Sequence, residues 1–282
     1  MATQLLIYGD VKPVTKTNHQ NLYVKTGGNY SFAENVNSVP LMAVEFPQAF
    51  AEYPIVFAGD EKKVTPVVVM GVNEKQNLFV KKDEGWDAKY IPAFIRRYPF
   101  VFSSTDDGKT LTLCIDESFE GCNQEGRGER LFDNDGERTQ YLENTLKFLE
   151  NYQAHHLRTN MFCEQLVELE LLQPMQAQFT AGKANGEPRT LSGFMGINRE
   201  KLKELSDENV LKLFKNDSLE LIYQHLLSMR NFSTMAEKLA VSIDNKPVDK
   251  AVDVDQKVSK SVSKTKTADK PVDTGKTDDK VH

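Results

Sequence analysis

From Lys246 onward the chain has no aromatic residue, no leucine and no isoleucine. Nine lysines and seven aspartates dominate that stretch, and Lys246-Pro247-Val248-Asp249 returns as Lys270-Pro271-Val272-Asp273. So little apolar surface cannot offset the entropy of ordering the backbone. The expectation is a folded body over residues 1–243 and a disordered, low-complexity tail over 244–282. The tail's balanced charges select no particular partner, which makes it a solvated extension. It also accounts for the low hydrophobic fraction of 39% in the 282-residue chain. The remainder is long enough to bury a sizeable core.

Cysteine is scarce. Cys114, Cys122 and Cys163 are an odd number without C-x-x-C spacing, which argues against a disulfide framework and for reduced thiols. No window approaches the ~18–20 apolar residues of a membrane span, and the start lacks the basic n-region of a secretion signal. A soluble, cytoplasmic protein is expected. The net charge of -6 repels phosphate backbones, so nucleic acid is not an expected partner.

Familiar catalytic signatures are missing too. There is no G-x-x-x-x-G-K-[ST], no G-x-G-x-x-G after a strand and no H-E-x-x-H, and Ser192 is not in a G-x-S-x-G elbow. Asp133, Asp135 and Glu137 suggest a calcium loop but lack the distant bidentate glutamate, so a turn is expected. His155 and His156 are adjacent, and neighbours on a helix diverge, so they read as a surface or helix-end pair. Nothing calls for a metal or other cofactor, and none is expected.

What the chain does contain is an internal echo. Phe46-Pro47, Tyr53-Pro54 and Val56-Phe57 recur 45 residues later as Ile91-Pro92, Tyr98-Pro99 and Val101-Phe102. The same offset lays Val67-Val68-Val69-Met70 over Thr112-Leu113-Cys114-Ile115. Pro47 and Pro92 suit helix starts, whereas Pro54 and Pro99 disfavour α conformation at the tyrosine before them. Each copy therefore reads as a short helix followed by two strands, joined by turns at Gly59-Asp60 and around Gly108. Residues 1–135 are expected to form one mainly antiparallel sheet with short helices.

Beyond Asp135-Gly136 the period changes. Leu142, Leu146, Leu149 and Tyr152 suggest one helix; Phe162, Leu166, Leu169 and Leu172 suggest a second, capped by Thr159 and stopped by Pro174. Gln176 to Ile197 reads as a hairpin around Asn185-Gly186. A short helix comes next at Arg199–Leu205, another opens at Ser206, and a long one ends near Leu239. Residues 136–243 are thus mostly helical, and the fold class is α+β.

Tyr90-Ile91-Pro92 with Arg96-Arg97-Tyr98-Pro99-Phe100 resembles the signature of the SapC family. Supporting strings are Val39-Pro40 with Glu45-Phe46, Tyr53-Pro54, Asn77-Leu78-Phe79, Gly85-Trp86, Leu131-Phe132-Asp133 and Ile222-Tyr223 with His225-Leu226. They run from about residue 19 to 235. The resemblance implies a bacterial protein and a shared fold along the body; the family takes its name from a surface-layer locus. It brings no settled catalytic residues, and the peptide-transport permease of the same name is excluded by the lack of a span.

The candidate site is an anion or ligand site made of Arg96, Arg97, Trp86, Tyr90 and Tyr98, where guanidinium groups can stack on aromatic rings. His19, Glu45 and His225 are its candidate polar partners, each with an alternative life as a hydrogen-bonded structural group. Glu45 or Asp87 could equally pair with one arginine while the rings fill the core. The favoured function is a non-catalytic binding or accessory protein with a protein partner or a small carboxylate ligand. The alternatives are an enzyme acting on a small carboxylate, and a surface-layer component. Oligomeric state is open.

Overall fold

The structure, a computed structural model, describes residues 6–60, 62–81, 85–104, 110–180 and 188–244. The apolar run Ile55-Val56-Phe57 forms β4 (Ile55–Gly59), which turns at Gly59 and returns as β5 (Val64–Val69). Gly59 sits at φ +134, and a Cβ there would meet the Lys63 carbonyl oxygen, so the turn needs glycine. β3 (Ser38–Pro40), β12 (Leu172–Thr180) and β13 (Pro188–Ile197) extend this pair into a five-stranded sheet in the order β12-β13-β4-β5-β3.

Both faces of that sheet are covered, which explains unbroken apolar runs in place of alternation. Ile55, Phe57, Val68 and Met70 face the main core with Phe46, Phe162, Leu166 and Ile222. Val56, Val67 and Val69 face a second core with Phe179, Phe194, Met235 and Leu239.

The second copy of the echo forms β8 (Phe100–Ser104) and β9 (Leu111–Asp116), and pairs with β1 (Val11–Pro13) in a sheet of its own, β1-β9-β8. The single N-terminal sheet expected from the sequence is therefore corrected to several. β2 (Tyr23–Val24) joins β10 (Cys122–Asn123) and β11 (Glu129–Arg130), and β6 (Val80–Lys81) pairs β7 (Gly85–Trp86). Every described pairing is antiparallel. Matching local patterns made two hairpins; different neighbours placed them in different sheets. Short helices α1 (Lys16–His19), α2 (Phe46–Ala49) and α3 (Ala93–Arg96) precede strands, α2 and α3 at matching points of the echo.

The two helices expected around Thr159 are one. α4 runs 29 residues from Gln140 to Glu168, with Thr139 as its N-cap. Thr159 lies inside it: its hydroxyl donates to the His155 carbonyl one turn back, at 2.7 Å, so the helix passes through. The same oxygen accepts the Ala43 amide at 2.9 Å, a tertiary bond that the sequence pattern does not show. Pro174 does not stop the helix. α4 ends at Glu168, the chain turns at Glu170 (φ 51), and Pro174 lies within β12.

The hairpin β12–β13 begins at Leu172 rather than Gln176, and the Asn185-Gly186 turn lies outside the described residues, as do the Gly108 turn and the tail. α5 (Arg199–Lys203) and α6 (Asp207–Lys215, capped by Ser206) stand where expected. The last long helix divides into α7 (Ser218–Ser228) and α8 (Asn231–Asp244). At the break, the Asn231 side-chain amide donates to the carbonyls of Phe50 and Tyr53 and anchors the second helix to the chain after α2.

Candidate functional site

The site begins with one carboxylate. Glu45 ends a 3-10 turn and is buried, yet its oxygens are satisfied. Oε2 accepts the Met42 amide at 2.8 Å, the reach-back of a capping box. Oε1 accepts the Tyr90 hydroxyl at 2.6 Å and the Ala93 amide at 2.7 Å. The Ala93 amide lies in the first turn of α3 and has no partner within that helix. Glu45 thus staples the segment around α2 to the one around α3.

Tyr90 is held at both ends. Its hydroxyl goes to Glu45, and its carbonyl accepts the hydroxyl of Tyr53, whose oxygen in turn accepts Trp86 Nε1–H at 2.7 Å. Burial first, then the Glu45 charge, push the Tyr90 phenol well above its ordinary pKa, so it stays a neutral donor.

Arg96 and Arg97 diverge, as adjacent helical residues do. Arg96 is exposed. Its Nε donates to the Ile91 carbonyl at 2.9 Å, an Nη lies 3.4 Å from the Tyr90 hydroxyl, and Cζ sits 5.7 Å and 5.4 Å from the ring centroids of Tyr90 and Phe148. Among the described residues it forms no ion pair. Arg97 is buried among rings, with Cζ 4.3 Å from the Phe94 centroid, 4.9 Å from Tyr152 and 5.6 Å from Tyr8.

A cleft of about 360 Å³ opens between the α2–α3 region and α4. Met42, Ala93, Phe148 and Tyr152 supply apolar walls, while Arg96 and His155 stand among its polar groups. Across Arg96 and Phe148 lies a second cavity of about 280 Å³, lined also by Arg97, Tyr98, Tyr141 and Thr145. Arg96 and Phe148 form a wall common to both.

The predicted residues therefore divide. Arg96, Tyr90 and Glu45 meet at the first cleft. Arg97 and Tyr98 line the second cavity; the Tyr98 hydroxyl donates to Asp116 at 3.2 Å and its ring stacks on Phe32. Trp86 lines neither, packing instead on Tyr30. Asp87 pairs with Lys81 and Lys238 rather than an arginine.

The two histidines expected as polar partners, His19 and His225, line neither cavity. His19 is buried, its Nε2 3.1 Å from Glu117 and its Nδ1 accepting the Thr15 amide at 3.1 Å. His225 is enclosed between β4, β13 and α7, bonded to Ile55 and Ile197, and burial lowers its pKa to about 4. It is a neutral structural imidazole at neutral pH.

Sequence reasoning misses the α4 wall of the cleft. Phe148, Tyr152 and His155 lie along one helical face, a spacing visible in the sequence. Periodicity alone places Tyr152 in the core stripe and His155 in a surface or helix-end pair, with nothing to connect either to Arg96. His156 diverges from His155 as expected; burial, then the charges of Lys63 and Arg97, lower its pKa. The Asp133 loop is a turn, with Oδ1 accepting the amides of Asp135 and Glu137. Among the described residues no three His, Cys, Asp or Glu gather to hold a metal ion, and no helix is long and apolar enough to cross a membrane.

Fold and cleft together define an α+β protein whose long helix closes an arginine-bearing, largely apolar cleft against the α2–α3 region. The SapC family model matches residues 14–235, and the chain belongs to the SapC family. No curated protein and no solved structure matches it.

Proposed function

We propose that this chain is a non-catalytic binding protein whose ligand site is the cleft at Arg96. The observation that carries this reading is a guanidinium held between two rings, without an ion-pair partner among the described residues, at the mouth of an apolar cleft. A volume of about 360 Å³ is in the range of small-molecule sites. Pre-organisation of the arginine by the Ile91 carbonyl, Tyr90 and Phe148 reduces the entropy lost on binding.

Binding without turnover fits the surroundings better than the enzyme reading does. Glu45 already accepts from three donors, and His19 and His225 face away from the cleft, so the groups considered for proton transfer do not meet there. We further infer that the two helix–strand–strand units descend from one repeated element, a reading supported by their equal succession of elements.

The test is a fragment screen against the isotope-labelled full chain, read out by backbone amide shifts. Fragments should move the amides of Asn151, Tyr152 and His155 and be recovered unchanged. A screen without cleft binders, or conversion of a bound compound, would overturn the proposal.

A further inference from the structure

We infer that the cleft takes a small monocarboxylic acid with an apolar body, its carboxylate on Arg96 and its body against Met42, Ala93 and Tyr152. This inference rests on the binding role proposed above and specifies the ligand.

The head group is set by the state of the arginine. Its Nε is committed to the Ile91 carbonyl, and the ring centroids of Tyr90 and Phe148 stand 5.7 Å and 5.4 Å from Cζ, close enough for cation–π attraction. One Nη also reaches the Tyr90 hydroxyl at 3.4 Å; what is left to a ligand is the outer N–H groups of the Nη edge, a planar pair of donors matched to the two oxygens of a carboxylate. The neighbouring rings and the Ile91 bond also limit the turning of the guanidinium, so the fork is aimed before the ligand arrives.

The charge is set by what stands nearby. Glu45 shares the Tyr90 hydroxyl with this arginine, accepting it at 2.6 Å while Arg96 approaches the same oxygen at 3.4 Å. A phosphate monoester, near two negative charges, would bring its second charge against Glu45 with a single guanidinium to meet it. The chain's net charge of -6 opposes a dianion further. One negative charge matches one arginine.

The body is set by the walls. Met42, Ala93 and Tyr152 are buried, each no more than 8% exposed, and with Phe148 they form a continuous apolar group. Tyr152 adds an aromatic side chain to this wall, and burial holds its phenol far above its ordinary pKa, hence uncharged. A hydrophilic acid such as acetate would leave these walls wet.

Three probes of similar size test the inference on the full chain by titration calorimetry and amide shifts: 3-phenylpropanoate, 3-phenylpropanamide and phenyl phosphate. The acid should bind about tenfold or more tightly than the amide, the worth of one charge-assisted fork, and tighter than the phosphate. Shifts should centre on Asn151, Tyr152 and His155. Arg96→Gln should bring the acid down to the affinity of the amide and leave the amide unchanged. Arg96→Lys should recover only part of the loss.

Equal binding of acid and amide, tighter binding of phenyl phosphate, or shifts confined to Asn144 and Thr145 in the second cavity would each overturn the inference. If other fragments occupy the cleft while these three do not, the ligand class is wrong and the binding role stands. If nothing occupies it, both fall.

Discussion

His225 donates from Nδ1 to the carbonyl oxygen of Ile55, 170 positions earlier in the chain, at 2.7 Å. Its Nε2 accepts the Ile197 amide at 3.0 Å, which assigns the proton to Nδ1. β4 and β13 share one paired register position, Met195 with Phe57, so this imidazole replaces ladder bonds that the strands do not make. Ser228, one turn on, accepts the Ile55 amide at 3.0 Å and completes the splice.

Replacing His225 by alanine leaves a buried carbonyl and a buried amide unpaired beside a cavity. The expected loss is on the order of 3–5 kcal/mol, read as a lower urea midpoint. An unchanged midpoint would show that the splice is dispensable.

The same histidine makes stability depend on pH. Burial depresses its folded pKa from 6.5 to about 4, so the unfolded chain binds the proton more readily. Its contribution is full above about pH 6.5 and declines as pH falls toward 4, by ~3 kcal/mol in all. Urea titrations at pH 5 and 7.5 should differ by less in His225→Gln than in the parent chain. Parallel pH dependence in both would contradict the assignment.

Asp116 is fully buried and collects the amides of Gly9, Asp10 and Ser118 and the hydroxyls of Ser118 and Tyr98. Burial alone would raise its pKa, but the Ser118 hydroxyl and the three amides outweigh it and hold the carboxyl below its ordinary value. Its stabilisation is present above the unfolded pKa near 3.8 and is lost as pH falls through the lower folded value. Asp116→Ala should cost ~3 kcal/mol in urea unfolding at neutral pH, because several donors lose their acceptor at once.

Thr159→Val keeps the shape of the side chain and removes its hydroxyl. The Ala43 amide, which donates to it at 2.9 Å, would lose its acceptor, at ~1–2 kcal/mol. Thr159→Ser should restore most of that. Equal stability of the valine and serine variants would rule out the bond as the cause.

The thiols should be slow in the folded chain. Burial pushes Cys163 to about 12; burial, then the Asp116 charge, push Cys122 to about 11; burial also raises Cys114. Since the thiolate is the reactive form, alkylation at pH 8 should be far slower than in urea. Cys122, the one of the three that is not fully buried, should react first. Rapid labelling of Cys163 without denaturant would refute the packing described for α4.

Much of this protein is legible in its residues alone. Proline and turn residues act within a few positions of themselves, so the echo around residues 46–69 and 91–116 specifies the short helices and both hairpins. The Ser206 cap and the diverging histidines at 155 and 156 are readable for the same reason, being consequences of local geometry. Tyr90, Arg96 and Glu45 also stand out from the residues and the resemblance.

Other features were decided by contacts between distant parts of the chain. Nothing local distinguishes a capping Thr159 from one that binds the Ala43 amide in mid-helix. No periodicity shows that β8–β9 pairs with β1 while β4–β5 pairs with β13 and β3, because an exposed strand edge accepts whichever neighbour the rest of the chain delivers. The cleft itself exists only where α4 crosses the α2–α3 region, so Phe148 and His155 acquire their place beside Arg96 through packing alone. Local chemistry determined which helices and hairpins form; the sharing of buried surface and hydrogen bonds between remote segments decided where they meet and what their side chains face.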